Sequence, residues 1–322
     1  MDVYAKQKAA FAARIADGHA AHAYILEGDD GGETRRFALY MASVLLCTGD
    51  KPPCGRCASC KKALSGGETL HPDIHLYEPE KNAGFSVETV RSIKKSIYLL
   101  PNEGNKKVYI LCGAQKMSRS AQNALLKFFE EPPASAAFII CCDRRDALLP
   151  TVLSRALLIS LGPLHDESLR AYLADRHRAE LPERLDAAVR YAQGSIGRAE
   201  AFLTPASQEA LRAATDFCTL LFEKNGTFSL AAQLLPLSAK RDGFDAFLTF
   251  AELCVLDVLH AHTGGPAPLV LEPAATQTYR ASSTRRALCF ALDAFADARA
   301  NLAANANGRL TATQLCARLA SL

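Results

Sequence analysis

Along the first half of the chain, short runs of consecutive apolar residues alternate with stretches whose apolar positions recur every three or four residues. The runs are Ala23–Leu26, Ile74–Tyr77, Val108–Cys112, Phe138–Cys142 and, more weakly, Leu157–Ile159. Apolar runs without polar alternation predict strands covered on both faces, as in a parallel sheet. The stretches between them predict helices. Residues 1–20 place Phe11 and Ile15 on one face, and a second helix spans Phe37–Leu46. Ser86 is placed to cap a third, with Glu88 in its first turn, Val87, Val90, Ile93 and Ile97 along it, and Pro101 to stop it. Ser118 is placed to cap a fourth, which Pro132-Pro133 ends. The pattern changes at Gly162-Pro163. From there to Leu322 the periodicity is helical, without a strand signal. Gly194-Ser195-Ile196-Gly197 breaks it, Pro205 reads as a hinge, and Gly264–Pro268 loosens it again. The expected fold class is α/β: a parallel-sheet domain over residues 1–162, a small helical domain over 163–205 and a larger one over 206–322. A chain of 322 residues has room for about two or three domains.

Composition narrows the function only slightly. Hydrophobic residues make up 49% and charged residues 22%, which excludes a disordered or collagen-like chain. There are 37 Lys and Arg against 34 Asp and Glu, so bulk charge does not argue for nucleic-acid binding. Trp is absent and aromatics are 7%, which excludes an aromatic stacking platform for bases. No apolar run is long enough to span a membrane. The opening Met1-Asp2-Val3-Tyr4-Ala5-Lys6 lacks the apolar core of a signal peptide, so a cytoplasmic location is expected. Lys94, Lys95, Lys106 and Lys107 read as a solvated face, or as a face toward DNA if the chain is part of a larger assembly.

The first strand is followed by Gly28-Asp29-Asp30-Gly31-Gly32-Glu33-Thr34 and then a helix. A glycine loop in that position aims backbone N–H groups at a phosphate, and nucleotide sites add a Lys and a Ser/Thr as G-x-x-x-x-G-K-[ST]. Counting from Gly28, the second Gly falls on Glu33 and the Lys on Thr34. With one deletion, Gly32-Glu33-Thr34 replaces Gly-Lys-Thr. The lysine is missing either way, and Asp29, Asp30 and Glu33 add negative charge where a triphosphate would lie. The strand Val108–Leu111 runs into Cys112-Gly113-Ala114, without the carboxylate that holds Mg²⁺ in such sites. On the loop alone, a strand–turn–helix that never bound nucleotide and a nucleotide fold that lost its chemistry both stay open.

Of eleven cysteines, Cys47, Cys54, Cys57 and Cys60 form C-x6-C-x2-C-x2-C. Four thiolates suit tetrahedral Zn²⁺ in a closed structural site, with Pro52-Pro53 and Gly55 supplying turns. An iron–sulfur cluster is the rival. Lys61-Lys62-Ala63 follows where a ferredoxin pattern continues to Cys-Pro, which favours zinc.

The order of these features carries a resemblance. After the glycine loop and the four cysteines comes Ser118-Arg119-Ser120-Ala121-Gln122-Asn123-Ala124-Leu125-Leu126-Lys127-Phe128-Phe129-Glu130-Glu131-Pro132-Pro133, and then Ser154-Arg155. This resembles the bacterial DNA polymerase III clamp-loader subunits of the AAA+ superfamily, closely over about residues 1–200. The resemblance implies an AAA+ domain with a zinc module at 47–60, a helical lid at 163–205 and a C-terminal collar at 206–322. The missing lysine and carboxylate point to the member that does not hydrolyse ATP, so no ATP of its own is expected around Gly28, Gly31, Gly32 and Thr34. Arg155 matches the arginine of the family's Ser-Arg-Cys motif, which reaches into the ATP site of the adjacent subunit; Ala156 replaces the Cys. Arg198 falls near the family's sensor-2 residue and is read as structural or a remnant. The implied partners are gamma/tau and delta subunits and, indirectly, the sliding clamp and primer-template DNA. An active gamma/tau-type ATPase is the alternative. An iron–sulfur redox protein and a free-standing nucleic-acid-binding zinc module are further readings.

Overall fold

The structure is a computed structural model that describes residues 3–28, 32–63, 71–79, 85, 87–223 and 226–320. Asp29, Asp30, Gly31 and Ser86, and the side chains of Val87 and Glu88, lie outside the described residues. The chain divides into two compact units, Met1–Ser168 with Ser195–Gly197, and Leu169–Gly194 with Arg198–Leu322.

The first unit runs α1 (Ala5–Ala16), β1 (Ala23–Glu27), α2 (Glu33–Leu45), α3 (Ala58–Ala63), β2 (Ile74–Tyr77), α4 (Val87–Ile97), β3 (Lys107–Leu111), α5 (Arg119–Glu130), β4 (Ala136–Cys142), α6 (Pro150–Leu153) and β5 (Leu157–Ser160). The five strands form one parallel sheet in the order β2-β3-β4-β1-β5. All of β3 and β4, and β1 up to Leu26, are buried, whereas the outer strands β2 and β5 are partly exposed. The uninterrupted apolar runs are therefore the central strands, as expected of a sheet covered on both faces.

Register aligns an aromatic row across the sheet. His75 pairs with Tyr109, and Tyr109 with Phe138. Their rings stack at 4.9 and 5.3 Å between centroids. From α5, Phe128 stacks on Phe138 at 6.2 Å and Phe129 meets it edge-on at 5.2 Å. Leu125, Phe128 and Phe129 lie three and four positions apart, so one face of α5 is buried. The Ser118 hydroxyl accepts from the Ala121 N–H at 3.2 Å, the cap anticipated from sequence.

Three differences from expectation have physical causes. Helix α2 starts at Glu33 rather than Phe37, because its first turn, Glu33-Thr34-Arg35-Arg36, is polar and invisible to an apolar pattern. Helix α3 has only six residues, too few to show a period. Lys107 is not available to DNA. It opens the buried strand β3, is 4% exposed and donates its ammonium to the Ser96 carbonyl at 3.2 Å. Lys94 and Lys95 are exposed on α4.

The remaining helices are α7 (Asp166–Arg176), α8 (Pro182–Ala192), α9 (Ile196–Leu203), α10 (Pro205–Phe222), α11 (Thr227–Leu237), α12 (Arg241–Thr263), α13 (Pro273–Ser282), α14 (Arg285–Ala303) and α15 (Gly308–Leu319). No strand follows Ser160 among the described residues. Pro205 is the first residue of α10, capped by the Thr204 hydroxyl, where its missing N–H does no harm. In the second unit, Phe217, Phe247 and Phe295 bring α10, α12 and α14 together. Gly264 ends α12 in the left-handed region at φ 68°. The segment after it is tied by Asp257, a buried carboxylate accepting from the N–H groups of Leu269, Val270 and Leu271 at 2.8 to 3.0 Å. Among the described residues, no helix is long and apolar enough to cross a membrane.

Asp73 does the same for the first unit. It is fully buried before β2 and accepts from the backbone N–H groups of Asn102, Glu103 and Gly104 and from the Asn102 side chain, at 2.6 to 3.2 Å. Burial pushes its carboxyl up, but the N–H donors at Asn102 and Glu103 outweigh it and hold the group below its ordinary value. A depressed folded-state value stabilises the protein above the ordinary carboxylate range, and that contribution disappears as pH falls through the depressed value. Asp73→Ala is expected to lower unfolding free energy by ~2–3 kcal/mol at neutral pH and to flatten the acid limb of the stability profile. Denaturant titrations of both proteins across the acidic range check it.

Candidate functional site

The C-terminal ends of β1, β3 and β4 lie side by side and enclose a cleft of about 290 Å³. Gly28 follows β1 and donates its N–H to the Cys142 carbonyl at 2.9 Å. A Cβ on Gly28 would stand 2.9 Å from the Thr34 hydroxyl and 3.0 Å from Leu161 Cβ, so only glycine fits there without a shift. Gly32, at φ 77°, turns the chain into α2. Gly28, Gly32 and Thr34 all line the cleft, as the loop pattern implied. Gly31 is outside the described residues.

Of the acids counted against a phosphate, Asp29 and Asp30 lie outside the described residues, and Glu33 is not among the residues lining the cleft. Glu33 pairs with Arg36 in the first turn of α2. The acids lining the cleft among the described residues are Glu78 and Asp143, from loops after β2 and β4. Glu78 meets Arg35 at 2.9 Å. Among the described residues the lysine in the lining is Lys116, from the turn after β3 rather than from the glycine loop. The residues contributed by the end of β3 are Cys112 and Gly113, so no carboxylate stands there.

The four cysteines converge. Cys47 follows α2, Cys54 and Cys57 lie in the turns, and Cys60 is buried in α3. Their sulfurs all lie within 4.8 Å of one another. Tetrahedral Zn²⁺ with bonds of about 2.3 Å needs sulfurs about 3.8 Å apart, so a small contraction closes the site. Gly55, at φ 70°, turns the chain between the second and third thiols. Backbone N–H groups of Gly49 and Cys54 point at the Cys47 sulfur at 3.4 and 3.3 Å, that of Cys57 at the Cys54 sulfur at 3.3 Å, and that of Cys60 at the Cys57 sulfur at 3.4 Å. Such donors stabilise thiolates. Burial raises the Cys57 thiol, yet backbone hydrogen bonds at Thr48 and Cys60 bring it down to about 6. Burial pushes Cys60 up to about 12. The donor set, its spacing and these N–H groups fit zinc. Sequence reasoning did not single out Gly49. A Cβ there would stand 2.9 and 3.0 Å from Cys54 Cβ and Sγ, a clash visible only after folding.

Arg155 follows the short helix α6 and is exposed. Its guanidinium reaches Glu130 at 3.1 Å and donates to the Thr151 carbonyl and the Ser154 hydroxyl at 3.1 and 3.2 Å. Gln122 sets the approach to α6. Buried in α5, it donates to the Met117 and Ala147 carbonyls at 3.2 Å and accepts the Leu149 N–H at 2.8 Å. Its role was not foreseen, because its partners lie 25 and 27 residues away. In the second unit, Arg198 donates to the Tyr191 carbonyl at 2.9 Å and lies over the Tyr191 ring at 5.1 Å.

A glycine turn joining a buried strand to a helix in a five-stranded parallel sheet, with four converging cysteines after that helix, defines an α/β domain. The chain belongs to the family described as DNA polymerase III, delta subunit, whose model matches residues 4–165. The chain is similar to the DNA polymerase III subunit delta' of Bacillus subtilis, with 32% identity over 158 residues, 48% of this chain and 46% of that protein. The subunit delta' of Haemophilus influenzae is 30% identical over 168 residues, 52% and 50% of the two chains. The subunit tau of Escherichia coli is 32% identical over 181 residues, 54% of this chain and 27% of that one. The chain thus spans about half the length of the delta' relatives it matches. A gamma subunit-related protein of Thermotoga maritima aligns over 99% of both chains at 18% identity and a TM-score of 0.45.

One zinc per chain is expected, and Gly49→Ala should weaken its binding about 10–100-fold by crowding Cys54. Competition against a chromophoric chelator checks this. Equal affinity of the two proteins would show that the Gly49 turn does not shape the site.

Proposed function

We propose that this chain is a non-hydrolysing, delta'-type subunit of the bacterial replicative clamp loader. It scaffolds the ring and lends Arg155 to the ATP site of the adjacent subunit while the sliding clamp is loaded onto primed DNA. The observation that carries the reading is a pairing of opposites. The cleft has neither a loop lysine nor a carboxylate at the end of β3, while an arginine outside it is exposed. A hydrolytic site needs both missing groups to cradle phosphates and hold Mg²⁺. An arginine supplied in trans needs only exposure and a fixed base, which α6 and Gln122 provide.

In this reading the first domain, residues 1–162, is an AAA+ domain without nucleotide. Residues 163–205 are its lid and 206–322 the collar that meets gamma/tau and delta subunits. Zinc at Cys47, Cys54, Cys57 and Cys60 is structural: four protein ligands leave no open position for a reactant. It fastens a module that is also held by Lys62, whose ammonium meets Glu103 at 2.5 Å.

Arg155→Ala is expected to leave the melting curve unchanged, since a half-exposed ion pair contributes ~0–1 kcal/mol. In a reconstituted clamp loader it should cut DNA-stimulated ATP turnover by about 10³-fold at the one site it serves. Unchanged turnover would remove the trans role. The isolated chain is expected to show no heat of ATP binding by calorimetry with Mg²⁺ present. Tight binding followed by turnover would identify it instead as a gamma/tau-type ATPase.

A further inference from the structure

The cleft has acquired a thiol pair where its hydrolytic chemistry is missing. The β3–β4 register ends with Leu111 opposite Ile140, so the next residues along it are Cys112 and Cys141. Both line the cleft. Neighbouring parallel strands are ~4.8 Å apart, and residues in register project to the same face. A disulfide spans Cα separations of about 4.4 to 6.8 Å, a range that includes the spacing of neighbouring strands. Cys142 also lines the cleft, but it alternates with Cys141 along β4 and packs in the cluster that holds Tyr109, Leu111, Phe138 and Ile140. Accessibility within the pair is graded: Cys112 is half-exposed and Cys141 is buried.

We propose that Cys112 and Cys141 form a reversible disulfide across the floor of the cleft, with Cys112 as the entry thiol and Cys141 as the resolving one. The oxidant is a peroxide. The Cys112 sulfur attacks one peroxide oxygen, the S–O bond forms as the O–O bond breaks, and the departing hydroxide leaves as water with the Cys112 proton. The Cys141 sulfur then attacks the Cys112 sulfur, the S–S bond forms, the S–O bond breaks, and the second oxygen leaves as water with the Cys141 proton. Two thiols lose two electrons and one peroxide becomes two waters. The bond would tie the ends of β3 and β4 beside Gly28. It does not depend on Arg155 or on the chain's place in a ring.

The test uses the full chain loaded with zinc, so that the four clustered thiols are occupied, and hydrogen peroxide as the probe. After peroxide, alkylation of free thiols and tryptic digestion, mass spectrometry should find peptide 108–116 joined to peptide 128–144. Alkylation of Cys112 should be lost, and dithiothreitol should restore it. The link should persist in Cys142→Ser and vanish in Cys112→Ser and Cys141→Ser. If the buried Cys141 variant does not fold, the variant at the more accessible Cys112 still decides the matter. The proposal is overturned if Cys112 stays alkylatable at a dose that oxidises the exposed Cys289, if Cys112 is oxidised to sulfinic acid without a partner, or if it is joined to Cys142.

Discussion

Parallel pairing of β1, β3 and β4 is the constraint from which the rest of the first unit follows. Strands that all run one way deliver their C-terminal ends to one edge of the sheet, and loops there can meet. That is why Gly28, Cys112 and Cys141, distant in sequence, line one cleft. The same pairing buries both faces of the central strands, so their side chains are apolar throughout and the aromatic row from His75 to Phe138 has a flat seat for α5. Parallel strands require long connections, and the connections carry the chemistry: the glycine turn, the cysteine module and the approach to Arg155.

Where those connections are irregular, single buried polar side chains hold them. Asp73 and Gln122 do so in the first unit and Asp257 in the second. Each satisfies backbone groups that would otherwise be buried without partners, which costs about 1–3 kcal/mol per group. Contacts near Arg155 follow a different rule. Its ion pair with Glu130 is half-exposed, screened by water and weak. The guanidinium is held by weak contacts at the surface, and its base by the buried amide of Gln122.

Local signals were legible and distant ones were not. The four cysteines were found because three of them lie three residues apart, close enough for spacing alone to imply a shared ligand. Gly49 passed unnoticed because its closeness to Cys54 is made by a turn. Lys107 was misread for a related reason: a charge next to Lys106 suggests a solvated face, yet the strand it opens buries it and its long stem delivers the ammonium to the Ser96 carbonyl. Glu33 was counted against a phosphate, but one turn of helix brings Arg36 beside it.

By itself the sequence determined the element types, the parallel sheet, the glycine turn without a lysine and the thiol cluster, because each is written in neighbours a few residues apart and depends on short-range periodicity or ligand spacing. Only the tertiary structure decided which charges line the cleft, that Gln122 braces the segment leading to Arg155, and that Cys112 lies beside Cys141. Those facts depend on register between strands and on packing between helices, which bring together residues 25 or more positions apart. No local pattern encodes that distance.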